Sequence, residues 1–386
     1  LAVIRNRTRI GAVRLIALDE DPIEVACDRV KEGLERVFVP TERVCEILLI
    51  MIEMALAHAE KAYPSEVEVS ARSYDEDLPS KPYVPLCITG LDGGGKSALL
   101  KALERVLPAD SWVTLSCSGD RLPLTASRTV VIKGIRSVRA LYRAIAKGTD
   151  SPVSSSADMG NWCARWVYRR GCCLLGIDEL QFLTQSERAT VLVSQVLLAS
   201  TYVGVPTVYL CNFSLCHRLL KLRPENKERL LTRHEVLVPE MPNSDDWLEL
   251  LAEFNKVVSD VFDFLFVDKA MPLWNYTAGR KRDLIDLIVK SYRRGRRIKC
   301  KKITWEIVEE TYHSADYFVS RQLVEALSSY ALTGACASRD LVCPFEDDLQ
   351  AAYHRRLKEV RYQRVADAAN DSALTRGERK ALAQIK

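Results

Sequence analysis

The sequence predicts an α/β fold: a parallel sheet built around a phosphate-binding loop, followed by an all-helical region. Three observations predict it. First, Gly90-Leu91-Asp92-Gly93-Gly94-Gly95-Lys96-Ser97 fits G-x-x-x-x-G-K-[ST], with an apolar run before it (84–89) and a helical stretch after it (98–103). Second, the apolar run 172–177 ends in Asp178-Glu179, which reads as a buried parallel strand carrying acids at its carboxyl end. Third, strand-like and helical segments alternate until about residue 242, and only helical patterns follow.

Taken in order, residues 1–20 set Arg5, Arg7, Arg9 and Arg14 among apolar neighbours and read as a strand pair or a basic arm. Pro22 opens a helix to about residue 38. Thr41 caps a second helix to about 63, with Val44, Ile47, Leu48, Met51 and Leu56 on its apolar side. Residues 64–83 are polar, with three prolines, and read as a linker or surface insertion. Within the core, 112–117 and 130–133 read as strands, 135–147 as a helix, 148–157 as a loop and 158–170 as a helix. A helix over 186–202 and a strand over 206–211 follow. Beyond these, 247–266, 280–294 and 304–330 read as three helices, 334–344 as a hinge, and the segment from 346 as a charged helix.

A chain of 386 residues accommodates two or three domains. The formal charge of +4 is too small to prove a nucleic-acid partner, so the distribution of charge decides. Twelve cysteines are scattered without a C-x-x-C pair, and no histidine joins them at zinc-ligand spacing. Cys45, Cys87, Cys172, Cys173 and Cys211 sit in apolar runs, where a thiol acts as a small hydrophobe. The expectation is a reduced cytoplasmic protein without a structural metal. No signal peptide is visible, and the longest apolar run, 47–57, is too short to span a bilayer, so no membrane partner is expected.

The chemistry gathers on few residues. Gly90, Gly93, Gly94 and Gly95 let backbone N–H groups turn toward phosphate oxygens at a helix N-terminus, with Ser97 and Ala98 in its first turn. Lys96 reaches the β- and γ-phosphates of ATP, and Ser97 holds Mg²⁺. Asp178 is the second Mg²⁺ ligand, directly or through water. Glu179 polarises the attacking water as general base. Asn212 follows the strand 206–211, where it either orients that water or caps the helix from Ser214. Arg218, Arg229 and Arg233 precede the apolar 236–238. One of them, with Arg233 the choice, reaches a neighbouring subunit's γ-phosphate, a contribution of about 10³–10⁵ in rate. Arg282, in the basic start of a helix at 279–282, senses nucleotide or is simply a basic first turn.

Two basic groups are candidates for DNA. Lys133, Arg136 and Arg139 stand at a strand-to-helix turn, and Arg293, Arg294, Arg296, Arg297, Lys299, Lys301 and Lys302 form a dense run. Neither carries aromatic residues spaced for base stacking, so contact with the backbone of duplex DNA, independent of sequence, is the expected form.

The arrangement resembles the AAA+ ATPases and, more narrowly, the TnsC/TniB-type transposition regulators of CRISPR-associated and related transposons. The residues that carry this are GLDGGGKS, LLGIDELQFL, VGVPTVYLCN, the pair WNYTAGRKRDLIDLIVKSY and KKITWEIVEETY, and the leading FVPTERVCEILLIM. The resemblance covers roughly 37–345. Cys211 departs from the glycine often found there. The resemblance implies an AAA+ core with a helical lid. The expected organisation is a helical extension and linker over 1–83, core over 84–242, lid over 243–333 and tail over 334–386. It also implies a homo-oligomer with ATP between subunits, assembled as a ring or filament on duplex DNA. Such an assembly links a TniQ-type targeting protein to the transposase, which the tail recruits. In this frame Asn212 is sensor one, Arg233 the trans finger and Arg282 the lid sensor. Lys133 and Arg136 face DNA in preference to the 293–302 run. A helicase-loader or origin-recognition ATPase is the alternative within the same fold. A nucleotide-switched signalling scaffold that touches no DNA is the alternative outside it.

Overall fold

The computed structural model describes residues 1–73, 82–108, 111–117, 119–133, 135, 137–147, 156–180, 189–335 and 338–373. The chain divides into two compact units, Leu1–Gly11 with Arg36–Leu237, and Ala12–Glu35 with Val238–Lys386. Elements are numbered along the chain.

In the first unit, five strands form one parallel sheet: β1 (Leu86–Gly90), β4 (Ser127–Val131), β5 (Leu174–Asp178), β6 (Thr207–Cys211) and β7 (Arg233–Leu237), in the order β4-β5-β6-β1-β7. Since every pair is parallel, all five carboxyl ends share one edge. β1 and β6 are buried throughout, and β5 is buried up to Asp178. That explains their unbroken apolar sequences, because helices cover a parallel sheet on both faces. α3 (Glu42–Ala62) and α5 (Lys96–Val106) supply Ile47, Leu48, Met51, Leu99 and Leu103 to the core against Ile88 and Leu210. Thr41 caps α3 by accepting from the Val44 N–H at 3.3 Å. The α/β expectation therefore holds, and so does the helical region that follows.

Several local expectations do not. Residues 1–20 are neither a strand pair nor an arm: α1 (Ala2–Thr8) is helical and buries Ile4 and Thr8, one helical turn apart, and Ile10 bridges Phe38. Leu56 lies on the solvent side of α3, 57% exposed, because the buried stripe continues through Ala55 and His58 instead. The polar 64–83 segment contains α4 (Glu66–Ser73). The strand expected at 112–117 joins a separate antiparallel hairpin, β2 (Ser111–Thr114) with β3 (Arg121–Leu124). The loop 148–155 and Gln181-Phe182-Leu183 lie outside the described residues.

The second unit holds α2 (Ile23–Arg36), α11 (Asp245–Val257), α12 (Ala270–Thr277), α13 (Lys281–Arg297), α14 (Trp305–His313), α15 (Phe318–Thr333) and α16 (Asp348–Ala373). The helix expected over 247–266 stops at Val257, since Phe262 and Asp263 are drawn into backbone pairing with Ile303. The helix expected over 304–330 breaks at extended Ser314 into α14 and α15. Trp247, Phe254, Trp274, Tyr317 and Tyr353 fill the interior. Among the described residues, no helix is long and apolar enough to cross a membrane.

Candidate nucleotide site

The site is built where β1 turns into α5. Gly93 and Gly95 have φ of 77° and 95°, a region that costs a side-chain-bearing residue about 1–2 kcal/mol. Gly95 is the N-cap of α5, so the N-terminus of that helix faces the loop. The Gly94 N–H donates to Leu91 O at 3.2 Å and closes the turn. Lys96 Nζ donates to Gly90 O at 2.9 Å and Leu91 O at 2.8 Å. The ammonium is thus held at the loop by two neutral carbonyls. Ser97 follows in the first turn, and the Ala98 N–H donates to Gly95 O at 3.0 Å.

The acids stand on the same edge. Asp178 ends β5, and β6 separates β5 from β1, with Ile177 level with Tyr209 and Cys211 level with Thr89. Two strand spacings put the acids roughly 10 Å to the side of β1. The Glu179 N–H donates to Asp178 Oδ1 at 2.7 Å, which orients that carboxylate. Glu179 itself has a φ of 62°. Left-handed backbone at a residue with a long side chain is strain of the kind concentrated at functional sites. The residue pattern around Glu179 points to its chemistry and carries no signal of this conformation.

Asn212 satisfies its capping role. Its Oδ1 accepts the Leu215 N–H at 3.1 Å and the Ser214 hydroxyl at 3.0 Å, starting α9 (Phe213–Leu219). It also lies on the shared edge, directly after β6. Of the two sequence readings, the hydrogen bonds show the cap. Arg233 lies elsewhere. It is exposed and opens β7 opposite Leu86, the first residue of β1, so it sits at the other end of the sheet from Gly90. Arg229 donates to the Tyr202 hydroxyl at 3.1 Å, and Arg218 is on α9.

Lys133 follows β4 at the carboxyl edge and is exposed, as is Arg139 in the first turn of α6 (Val138–Ile145). Arg136 lies outside the described residues. Arg282 belongs to the second unit and is exposed on α13. The basic start of that helix is not all surface charge. Arg280 and Asp283 form a buried pair at 2.8 Å, 4% and 6% exposed. Burial pushes the Asp283 carboxyl up to about 6 against the opposing pull of Arg280. Burial also pushes Lys281 down to about 8. Nothing in the sequence marks this pair, because an i,i+3 Arg–Asp spacing carries no signal of burial.

The four arginines of the run 293–302 are engaged within their own unit, and its three lysines are exposed. Arg293 pairs with Glu24 at 2.8 Å, Arg294 with Glu310 at 2.8 Å and Arg297 with Glu24 at 3.6 Å. Arg296 donates to the carbonyls of Leu18, Asp19 and Asp21.

Residues 84–208 match the family model of an AAA domain. Together with the parallel sheet and its loop, this makes the first unit an α/β P-loop fold with an AAA+ core. No curated protein matches the chain. Among solved structures, Drosophila ORC bound to DNA is 14% identical, with 92% of this chain and 90% of that chain covered at a TM-score of 0.45. The ADP form of Aeropyrum pernix ORC2 is 13% identical, covering 78% and 85% at 0.43. Aeropyrum pernix ORC1 in complex with DNA is 18% identical, covering 72% and 67% at 0.40. At these identities and scores, none of the three likenesses carries a function to this chain.

Proposed function

We propose that this protein is an ATP-dependent switch that assembles on duplex DNA, an AAA+ regulator of transposition that hydrolyses ATP slowly. The observation that carries its nucleotide chemistry is the single sheet edge that holds Lys96, Ser97, Asp178, Glu179 and Asn212 together. This donor set fits a magnesium nucleotide: inward N–H groups and a cation for phosphate, a hydroxyl and a carboxylate for Mg²⁺. Ser97 and Asp178 would hold that ion, which neutralises phosphate charge when bound. Lys96 exchanges two neutral carbonyls for phosphate oxygens, which are stronger partners for an ammonium. Glu179 accepts the proton of the attacking water, and Asn212 positions that water through its amide end.

Arg233 supports an oligomer. Four residues of β1 separate its level from Gly90, roughly 13 Å along the strand. An arginine at the far end of the sheet serves a neighbour's phosphate better than its own. Lys133 and Arg139, with Arg136 beside them in sequence, give an exposed basic group for the DNA backbone. The transposition role, with a TniQ-type protein and a transposase as partners, rests on the sequence resemblance. Arg282 keeps its sensing role on the same basis.

Electron microscopy with duplex DNA, with and without ATP or a non-hydrolysable analogue, tests this. Rings or filaments that require both nucleotide and Lys96 support it. Binding confined to one DNA sequence favours the origin-recognition alternative. A protein that stays off DNA in every nucleotide state at low salt overturns the DNA reading and favours a signalling scaffold.

A further inference from the structure

Directly beneath the phosphate loop, three thiols converge. Cys87 comes from β1, Cys211 from the end of β6 and Cys216 from α9, and each is 0% exposed. Their Sγ atoms lie 3.5 Å (Cys87 to Cys211), 3.3 Å (Cys211 to Cys216) and 4.0 Å (Cys87 to Cys216) apart. A fourth donor adjoins them: Thr89, also buried, whose Oγ1 accepts from Cys216 Sγ at 3.3 Å. Strand register brings this about. Thr89 is level with Cys211 and Cys87 with Tyr209, so Cys87, Thr89 and Cys211 share one face of the sheet.

We propose that Cys87, Cys211 and Cys216 bind one thiophilic closed-shell cation, Zn²⁺ or Cu⁺, with the Thr89 hydroxyl as the fourth donor. The point equidistant from the three sulfurs lies about 2.1 Å from each. A metal at the usual zinc–sulfur length of about 2.3 Å then sits roughly 0.9 Å above their plane. A regular tetrahedral site needs about 0.8 Å at that bond length. The triangle therefore accepts the ion without movement of the backbone. Three sulfurs select soft or borderline ions and reject Mg²⁺ and Ca²⁺, which require oxygen. The site is thus chemically separate from the Ser97–Asp178 pair on the same edge.

A disulfide between the two strands does not fit these thiols. Cys87 and Cys211 are diagonal neighbours on adjacent parallel strands, with Cα atoms roughly 8 Å apart, beyond the span of about 4.4–6.8 Å that a disulfide bridges. A metal engages all three. It also ties β1, which feeds the phosphate loop, to both ends of the segment that carries Asn212. This site does not depend on the DNA-assembly reading, so either can fail alone.

The test is metal content per chain in full-length protein, prepared under reducing conditions from zinc-supplemented and from copper-supplemented cultures. About one ion per chain is expected in wild type and in Cys117→Ser, whose thiol is exposed. A loss of at least tenfold is expected in Cys87→Ala and Cys216→Ala. The two cultures distinguish zinc from copper. Should those variants fail to fold, X-ray absorption on the wild-type ion, or on Co²⁺ introduced by refolding, counts the sulfurs. Three sulfurs sustain the proposal. Fewer than three, no retained metal in either culture, or a Cys211–Cys216 disulfide in the isolated protein overturns it.

Discussion

The phosphate loop, with its single lysine, and the basic run at 293–302 both place cations near a helix end, and they hold them in different ways. Lys96 rests on two neutral carbonyls of its own loop. Arg293, Arg294 and Arg297 rest on carboxylates, and Arg296 on three carbonyls of the segment 18–21 and, at 3.6 Å, on the Asp19 carboxylate. A cation on carbonyls gains by moving to phosphate. A cation already neutralised by a carboxylate gains little. Charge density along the sequence therefore does not report how a cation is held, which its tertiary partners decide.

The hardest strain on this contrast comes from chemistry at the loop edge. Glu179→Gln should lower ATP turnover by about 10²–10⁴-fold while nucleotide affinity stays within a few-fold. Steady-state phosphate release beside equilibrium binding separates the two, and equal losses in both would remove Glu179 from the role of general base. Lys96→Ala should weaken nucleotide binding by about 10- to 100-fold, the worth of a charged hydrogen bond. An affinity that does not change means that the loop cation is as occupied as those of the basic run.

Smaller effects sharpen the contrast from the other side. Arg296→Ala should destabilise the chain by about 1–2 kcal/mol in urea denaturation, through its lost carbonyl partners, and leave DNA affinity alone. Lys133→Ala should do the reverse, reducing the slope of log affinity against log salt by about 1 with little change in stability. A salt slope that responds to Arg296 and not to Lys133 would move the DNA surface to the helical unit.

The smallest expected effect is on pH. His58 is buried against the Tyr83 hydroxyl at 2.8 Å, and burial, aided by Lys61, pushes it down to about 4. Its contribution to stability is full above pH 6.5 and is lost as pH falls through about 4. Asp283, raised to about 6, works oppositely: its contribution is full below its ordinary value of 3.8 and is lost as pH rises through about 6. Between pH 4 and 6.5 the two oppose each other, one in each unit. Thermal melting of wild type should vary little across that window. His58→Gln should leave a chain that grows more stable on acidification, and Asp283→Asn one that grows less stable.

The sequence was most legible where a pattern is enforced by chemistry or by burial on both faces. The loop glycines, Lys96 and the apolar strand ending in Asp178-Glu179 are of this kind. It was least legible where a segment's partner is remote. The 258–266 stretch has helical periodicity, yet it gives up its helix to pair with Ile303. Residues 1–20 look like a free basic arm until Ile4 enters the core with α3 and α5. Asn212 was legible as two alternatives, and the structure shows the cap that makes one of them certain.

By itself, the amino-acid sequence determined the α/β class, the phosphate loop and the acids opposite it. These depend on local spacing and on hydrophobic runs, which a linear chain displays in full. Only the tertiary structure decided the rest. It set Arg233 at the far end of the sheet from Gly90, enclosed Arg280 with Asp283, and paired Arg293, Arg294 and Arg297 with Glu24 and Glu310. It also brought three distant cysteines within 4.0 Å of one another. Strand register and burial are properties of pairs of segments, and their energies depend on who the neighbour is.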